Sequence, residues 1–272
     1  MHIEPGQVAV ITGGASGIGL ALAERLGRSG VRLVLADVEA GALAAAVAGL
    51  AEAGLQAVGE VTDVSRLEDV ERLRDRALAA FGRVDIVCNN AGVVSPYGPL
   101  WTASIEDWNW VLGVNLWGVI HGVRTFAPLL LAQGSGHVVN TASMAGLTVI
   151  PNNGVYNASK HAVVSITETL RAEFDAAGGG VGATVVCPGL VPTRIGEADR
   201  NRPGGPSAAP AGAKPKPAAG GAAAVVEASA VAGQIAAAIE RNQLYLATNP
   251  GSAAHVAHRL GRVLTETARP LE

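Results

Sequence analysis

Tyr156 and Lys160, four residues apart in the run Tyr156-Asn157-Ala158-Ser159-Lys160, are a pair whose types and spacing can do chemistry. On a helix, positions i and i+4 share one face, so the phenol stands beside a fixed ammonium. A free Tyr has a pKa of roughly 10, and an adjacent positive charge favours phenolate, moving the group toward acid/base work near neutral pH. A packed aromatic and a solvated cation produce the same pattern, so the pair alone does not decide.

Two polar residues upstream extend the idea to a carbonyl site. Ser143 closes the strand-like run His137–Ala142, and its hydroxyl can hydrogen-bond a reacting oxygen as charge develops there. Asn115, in the preceding helical region, can hold a water that links the lysine to solvent. Each has a plainer reading, Ser143 as a strand-end turn residue and Asn115 as a buried amide satisfied by backbone.

Near the N-terminus, Val8-Ala9-Val10-Ile11 breaks into Thr12-Gly13-Gly14-Ala15-Ser16-Gly17-Ile18-Gly19 and then into Leu20, Leu22 and Leu26. This reads as strand, tight turn and helix. Gly13, Gly17 and Gly19 let the backbone approach a ligand, and the helix offers free N–H groups and its positive dipole end to a pyrophosphate. The spacing departs from G-x-G-x-x-G, and no Lys-Ser/Thr pair follows, which argues against a nucleoside-triphosphate loop. A tight strand-to-helix connection with no ligand is the alternative. Asp37 ends the next apolar run about 20 residues later, where a carboxylate can accept both adenosine-ribose hydroxyls and repel a 2′-phosphate. That favours NAD over NADP; an Asp capping the next helix is the alternative.

Taken together, these residues resemble the short-chain dehydrogenase/reductase family of the classical type. Thr12 to Gly19 is similar to its cofactor turn, Asp63-Val64 to its adenine contact, and Asn89-Asn90-Ala91-Gly92 to its strand-four motif. Asn115, Ser143, Tyr156 and Lys160 match its catalytic tetrad, and Pro188-Gly189 with Thr193 its nicotinamide-side loop. The resemblance runs from residue 7 to about 193. It implies an NAD cofactor bound by Gly13, Ser16, Gly17, Ile18, Gly19, Asp37, Asp63, Val64, Asn90, Ala91, Gly92, Tyr156, Lys160, Pro188, Gly189 and Thr193. It also implies hydride transfer to or from a secondary alcohol or ketone, and a homo-oligomer, tetramer favoured over dimer. Pocket positions by analogy are Val94, Ala145, Val149, Asn153 and Leu190, small or apolar, which points to a hydrophobic substrate. Two rival functions are an NAD-dependent epimerase or dehydratase, which runs longer at the C-terminus, and a non-catalytic NAD-binding scaffold, against which the intact tetrad argues.

The elements that must position these residues follow from patterning. Strand-like apolar runs recur near 7–12, 31–36, 56–61, 84–89, 137–142, 182–187 and 243–247, with helix-period stretches between them. That alternation predicts an α/β fold: one doubly wound Rossmann-type domain over 1–272 with a parallel, seven-stranded sheet. The ligand crevice then lies at the carboxyl ends of the strands, where Asp37, Asp63, Asn89, Ser143 and Pro188 all fall. Ser65 and Glu68 read as a capping box opening a scaffold helix. The stretch 106–131, with Trp108, Val111, Leu116, Ile120 and Leu130, carries more apolar surface than one face against a sheet requires, so part of it is expected to meet another subunit. Residues 194–221, with Pro203, Pro206, Pro210, Pro215 and Pro217, form a Pro/Gly/Ala-rich substrate-loop insertion, either a lid or a passive insertion.

Composition bounds the rest. Hydrophobic residues make up 49% of the 272 and aromatics 4%, so the core is aliphatic. A net charge of −3 gives no basic surface for nucleic acid. Cys88 and Cys187 sit in apolar runs as small hydrophobes, with no CxxC or Cys/His cluster for a metal. The reading is a cytoplasmic protein without a membrane segment, since no uninterrupted apolar run is long enough to span a bilayer. Leu271-Glu272 reads as the remnant of a C-terminal tag.

Overall fold

Residues 1–205 and 224–268 are described by a computed structural model of the chain. Its strands are β1 (Val8–Thr12), β2 (Arg32–Asp37), β3 (Ala57–Val61), β4 (Ile86–Asn89), β5 (Gly136–Thr141), β6 (Val181–Cys187) and β7 (Tyr245–Ala247). Its helices are α1 (Gly17–Gly27), α2 (Ala40–Glu52), α3 (Leu67–Phe81), α4 (Ile105–Leu112), α5 (Gly118–Gln133), α6 (Gly154–Ala176), α7 (Ala228–Glu240) and α8 (Ser252–Thr267). The strands form one seven-stranded sheet in the order β3-β2-β1-β4-β5-β6-β7, and every neighbouring pair is parallel. The doubly wound expectation holds, with strand boundaries within two residues of those read from the sequence.

The sheet is buried on both faces, as a parallel sheet requires. Every residue of β1, β5 and β6 is buried. One face packs Leu22 and Leu26 of α1 with Ile235 and Ile239 of α7, and the other packs Leu73 of α3, Phe126 and Leu130 of α5 and Phe174 of α6. The order reverses between β1 and β4, so the connections leave on opposite sides there and a crevice opens at the strands' carboxyl ends.

The amino-terminal edge of the sheet is held by Asp85. Its carboxylate accepts from the Val8 amide at 2.9 Å, from Arg83 at 2.6 and 2.9 Å, and from Gln133 at 3.2 Å. Its backbone carbonyl accepts from the His137 amide. One residue thus joins the starts of β1, β4 and β5 to the end of α5. A second polar chain crosses the core, from the Asn89 amide to Asn140 at 2.8 Å and from Asn140 to Thr167 at 3.0 Å. Gly122 is required beside it, because a Cβ there would lie 2.0 Å from Asn89 Oδ1.

One reading of the sequence needs correction, and the structure adds detail to others. Ser65 and Glu68 do not form a capping box: the Ser65 hydroxyl donates to Asp63 at 2.7 Å, and α3 starts at Leu67 behind Arg66 with no side-chain cap. The reciprocal box instead opens α4, where Ser104 and Asp107 exchange bonds. α4 and α5 are joined by a π-helical turn, Gly113–Trp117, into a continuous helix Ile105–Gln133. By length and composition it is apolar enough to cross a membrane, although no uninterrupted apolar run in it is that long, and Phe126 and Leu130 pack in the core while Asn115 is fully buried. Finally, Arg194–Asn201, at the start of the Pro/Gly/Ala-rich stretch, is 3₁₀-helical with a kink at Glu197. Pro206, Pro210, Pro215, Pro217 and Leu271-Glu272 lie outside the described residues.

Removing the Asp85 carboxylate leaves the Val8 amide without its acceptor and Arg83 without its partner. Asp85→Ala is expected to cost about 3 kcal/mol, the range for a broken buried charged network, read as a lower urea midpoint at unchanged slope.

Candidate active site

A cavity of about 560 Å³ lies along the carboxyl ends of the strands. Its wall includes Gly13, Ser16, Gly17, Ile18, Asp37, Asp63, Val64, Asn90, Ala91 and Gly92 from the first half of the fold, and Ser143, Tyr156, Lys160, Pro188, Gly189 and Thr193 from the second. Gly19 and Asn115 support this wall from behind. The spacing of motifs across the sequence therefore converges on one crevice.

Glycine is required at the turn for steric reasons. Gly13 and Gly17 have φ of 62° and 54°, a region costly for side-chain-bearing residues. A Cβ on Gly19 would stand 2.2 Å from the Gly13 carbonyl oxygen, and one on Gly13 would stand 3.0 Å from Ala91 Cα. The α1 helix begins at Gly17 with extended Ser16 before it and no side-chain cap, so its first N–H groups are left for a ligand.

The turn is tied to β4 and β5 by hydrogen bonds. Thr12 Oγ1 accepts from the Asn90 and Ala91 amides at 2.9 and 3.1 Å, the Asn90 side chain donates to Thr12 O at 3.0 Å, and Thr141 donates to Asn90 Oδ1 at 3.3 Å. Thr12 opens the quoted turn motif, but a hydroxyl in a strand carries no signal of such a role. Asp37 accepts from the Ala15 and Glu39 amides at 3.2 and 3.1 Å, which fixes its carboxylate toward the crevice. Asp63 closes its own turn, accepting from the Ser65 amide and hydroxyl, while His121 bonds the Val64 carbonyl at 2.9 Å.

On the other side, Tyr156 and Lys160 share a face of α6, with the ammonium 5.6 Å from the phenol ring centre. Lys160 is buried, 2% exposed, and its ammonium donates to the Thr141 carbonyl at 2.8 Å. Burial lowers its pKa to about 8. Burial also pushes Tyr156 up to about 12, opposed by the neighbouring Ser143 hydroxyl. This reverses the expectation that Lys160 alone would bring the phenol toward neutrality: the low-polarity wall outweighs the neighbouring charge. Tyr97 is close enough to contribute to the upward shift, a neighbour no motif announced.

Ser143 lies two residues beyond β5. Its Oγ accepts from the Ala145 amide at 3.1 Å and donates to the Pro188 carbonyl at 3.4 Å. Asn115 sits in the π-helical turn, its Oδ1 accepting from the Val93 amide at 2.8 Å and its Nδ2 donating to Val93 O and Ser159. The side chain thus pins the loop after β4. A Cβ on Gly92 would lie 3.4 Å from Asn115 Oδ1 and 3.5 Å from Lys160 Nζ, so that glycine keeps the space between them open. The analogy-based pocket positions are displaced: Ala145 and Asn153 are buried, Val149 and Leu190 face outward, and none of these or Val94 lines the cavity. Trp110, Val114, Val191 and Ala198 line it instead.

The segment after Thr193 closes one side. Arg200 donates to Glu39 at 2.6 and 3.0 Å, Asn201 donates to Glu39 at 3.1 Å, and Arg194 approaches it at 3.6 Å. Two residues on, Arg202 pairs with Asp107 at 2.5 Å and lies over the Trp110 ring. These are contacts between residues far apart in sequence, and no local pattern forecasts them. Both cysteines are buried and unpaired, as expected, with burial raising each thiol to about 12. Among the described residues no group of three His, Cys, Asp or Glu could hold a metal ion.

Residues 7–203 match the family described as short chain dehydrogenase. A curated relative is 1-deoxy-11-beta-hydroxypentalenate dehydrogenase of Streptomyces avermitilis, 43% identical over 195 residues and covering 71% of each chain. Another is 3beta-hydroxysteroid dehydrogenase 2 of Eggerthella lenta, 40% identical over 192 residues, covering 70% of this chain and 73% of that one. Among solved structures, a short chain dehydrogenase/reductase from Burkholderia phymatum in complex with NAD superimposes with a TM-score of 0.88 at 44% identity, covering 100% of both chains.

The buried Lys160 gives the site a pH signature. Its pKa is about 8 in the fold against 10.5 for an ordinary lysine, so between those values the unfolded chain binds more protons. Stability from this group therefore rises with pH across that window and is lost as pH falls toward 8. Wild type should gain stability relative to Lys160→Met as pH rises from about 8 toward 10.5, measured by parallel urea titrations; a constant difference would contradict the burial argument.

Proposed function

The chain belongs to the short-chain dehydrogenase/reductase family, and we propose that Asn115, Ser143, Tyr156 and Lys160 are the residues that carry its reaction. It is an NAD-dependent oxidoreductase acting between a secondary alcohol and its ketone. The observation that carries the residue assignment is that Ser143, Tyr156 and Lys160 face the same cavity as the glycine turn and Asp37.

The residues present suit NAD. Gly13, Gly17 and Gly92 leave room that a Cβ would fill, the first amides of α1 are uncapped, and the Asp37 carboxylate stands where ribose hydroxyls would donate to it. When bound, NAD supplies the hydride acceptor and NADH the donor. Asp63 and Val64 would border the adenine, and Pro188, Gly189 and Thr193 the nicotinamide.

Tyr156, protonated at neutral pH with its pKa near 12, gives its proton to the ketone oxygen as that oxygen becomes an alkoxide. The resulting phenolate is stabilised by the Ser143 hydroxyl and the Lys160 ammonium, and in the oxidative direction the same phenolate takes the alcohol proton back. The single Ser143 hydroxyl proton is donated in a hydrogen bond to the substrate oxygen before the transfer and to the phenolate after it. Lys160, with its pKa near 8, can both hold the cofactor ribose and exchange protons, with Asn115 across Gly92 placed to hold a relaying water. The apolar lining from Val93, Trp110, Val114 and Ile195 supports a hydrophobic substrate, in keeping with relatives named for hydroxypentalenate and a 3β-hydroxysteroid.

We read residues 1–272 as one catalytic domain in which 194–221 is the substrate-loop insertion. A homo-oligomer, tetramer before dimer, is supported by Trp117 at the end of the π-helical turn and Leu131 on α5, both half-exposed, and by Leu260, Val263 and Leu264 exposed on α8. Two unpaired buried thiols suit a reducing cytoplasm.

A spectrophotometric screen of bulky secondary alcohols with NAD, and of the ketones with NADH, tests the reaction and substrate class together. On any substrate found, Tyr156→Phe should lower kcat by about 10²- to 10⁴-fold while NADH affinity stays near wild type; retention of a tenth of the rate would overturn the assignment.

A further inference from the structure

We propose that Glu39 is a cofactor-specificity residue that excludes a 2′-phosphate by occupying an arginine fork at the ribose end of the crevice. The inference rests on the NAD reading above and adds to it a residue outside the motif positions. Glu39 follows Asp37 by two residues just beyond the carboxyl end of β2, the Asp37 carboxylate accepting the Glu39 amide at 3.1 Å. From the far side of the fold, Arg194 and Arg200 reach the same wall of the cavity.

Arg200 is held rigidly. Its Nη1 donates to the carbonyls of Arg194 at 3.0 Å and Glu197 at 2.9 Å, which fixes the plane of the guanidinium. The remaining edge, Nε and Nη2, is presented to a single oxygen of Glu39 at 3.0 and 2.6 Å. Arg194 approaches the other Glu39 oxygen at 3.6 Å, and Asn201 donates to the first at 3.1 Å. Two guanidiniums and an amide around one anionic group is the donor set that binds phosphate. Here a carboxylate of the chain itself fills it, and those arginines in turn hold the carboxyl below the usual carboxylate range.

Two features therefore oppose NADP. Asp37 repels a 2′-phosphate directly, and Glu39 withholds the cations that would otherwise receive it. Glu39→Gln keeps a side chain of the same shape against the strap of residues 194–202 but removes the negative charge that holds the Nε/Nη2 edge of Arg200 and the Arg194 guanidinium, leaving both for an external anion in the crevice. Selectivity at this end then becomes a competition between an internal anion and an external one.

The experiment compares wild type, Glu39→Gln, Asp37→Ser, the Asp37→Ser/Glu39→Gln double variant, and Glu39→Gln/Arg200→Ala. Calorimetric titration uses 2′,5′-ADP and 5′-AMP as probes, which need no turnover and differ in the 2′-phosphate, followed by kcat/KM with NADP and NAD. Glu39→Gln should tighten 2′,5′-ADP relative to 5′-AMP by about tenfold, in the wild-type or the Asp37→Ser background, and the gain should vanish with Arg200→Ala. A ratio unchanged in both backgrounds, parallel weakening of both probes, or a gain that survives Arg200→Ala would overturn the proposal. Parallel weakening would leave Glu39 as a fastening for the strap alone. Normal 5′-AMP binding with no turnover on any alcohol would instead count against the reaction assignment, separately from this one.

Discussion

The close approach of the glycine turn to the end of β4 is the constraint on which the rest of this structure depends. Thr12 receives the amides of Asn90 and Ala91, Asn90 returns a bond to Thr12, and Gly13 sits against Ala91 with no space for a Cβ. This seam lies between β1 and β4, where the strand order reverses and the connecting chains part. A side chain at Gly13 or Gly19 would push the turn away from β4. The free amides of α1 and the motif after β4 would then no longer border one crevice. The hydrogen bonds satisfy polar groups that the buried strand ends would otherwise leave unpaired.

The second half of the fold brings a buried cation to that seam. Lys160 sits on α6 with its ammonium bonded to the Thr141 carbonyl at the end of β5, and α6 is drawn close because Gly146 leaves only bare backbone beneath it. A Cβ on Gly146 would meet the Lys160 carbonyl oxygen at 2.6 Å. An ammonium in such surroundings loses hydration, so it holds its proton less firmly than a surface lysine does. The same surroundings hold the Tyr156 phenol in its protonated form. Proton transfer at this site is thus set by burial first and by the neighbouring charge second.

Charge serves a different purpose at the rim. Of the described residues following Thr193, 194–205, only Ala198 is buried, too little apolar surface for this strap to seat itself. Its arginines do the seating, with Arg200 on Glu39 beyond β2 and Arg202 on Asp107 at the start of α4. The Arg202–Asp107 pair is nearly fully buried and Asp107 also caps α4, so it joins the strap to the helix that leads into the π-helical turn bearing Asn115. The Glu39–Arg200 pair is partly exposed, so solvent screens it more than it does the Arg202–Asp107 pair.

What the sequence determined by itself is whatever depends on local periodicity and local turn geometry. Alternating apolar runs and helix-period stretches specify the seven parallel strands, because a strand buried on both faces must be apolar throughout and its crossover must be long enough for a helix. The glycine turn, Asp37 and the Tyr156–Lys160 pair were legible for the same reason: their chemistry lies in spacing along one element. Tertiary structure alone decided the rest. Ser65 turned to Asp63 rather than capping α3, because a hydroxyl takes the nearest strong acceptor. The pocket wall came from Trp110 and Ala198 rather than Val149 and Leu190, because exposure depends on which loops fold over the crevice. The proton affinities of Tyr156 and Lys160 follow from desolvation, a property of everything packed around a group. The pairing of Glu39 with Arg200, 161 positions away, is beyond any local pattern, because only the folded sheet brings the end of β2 under the strap.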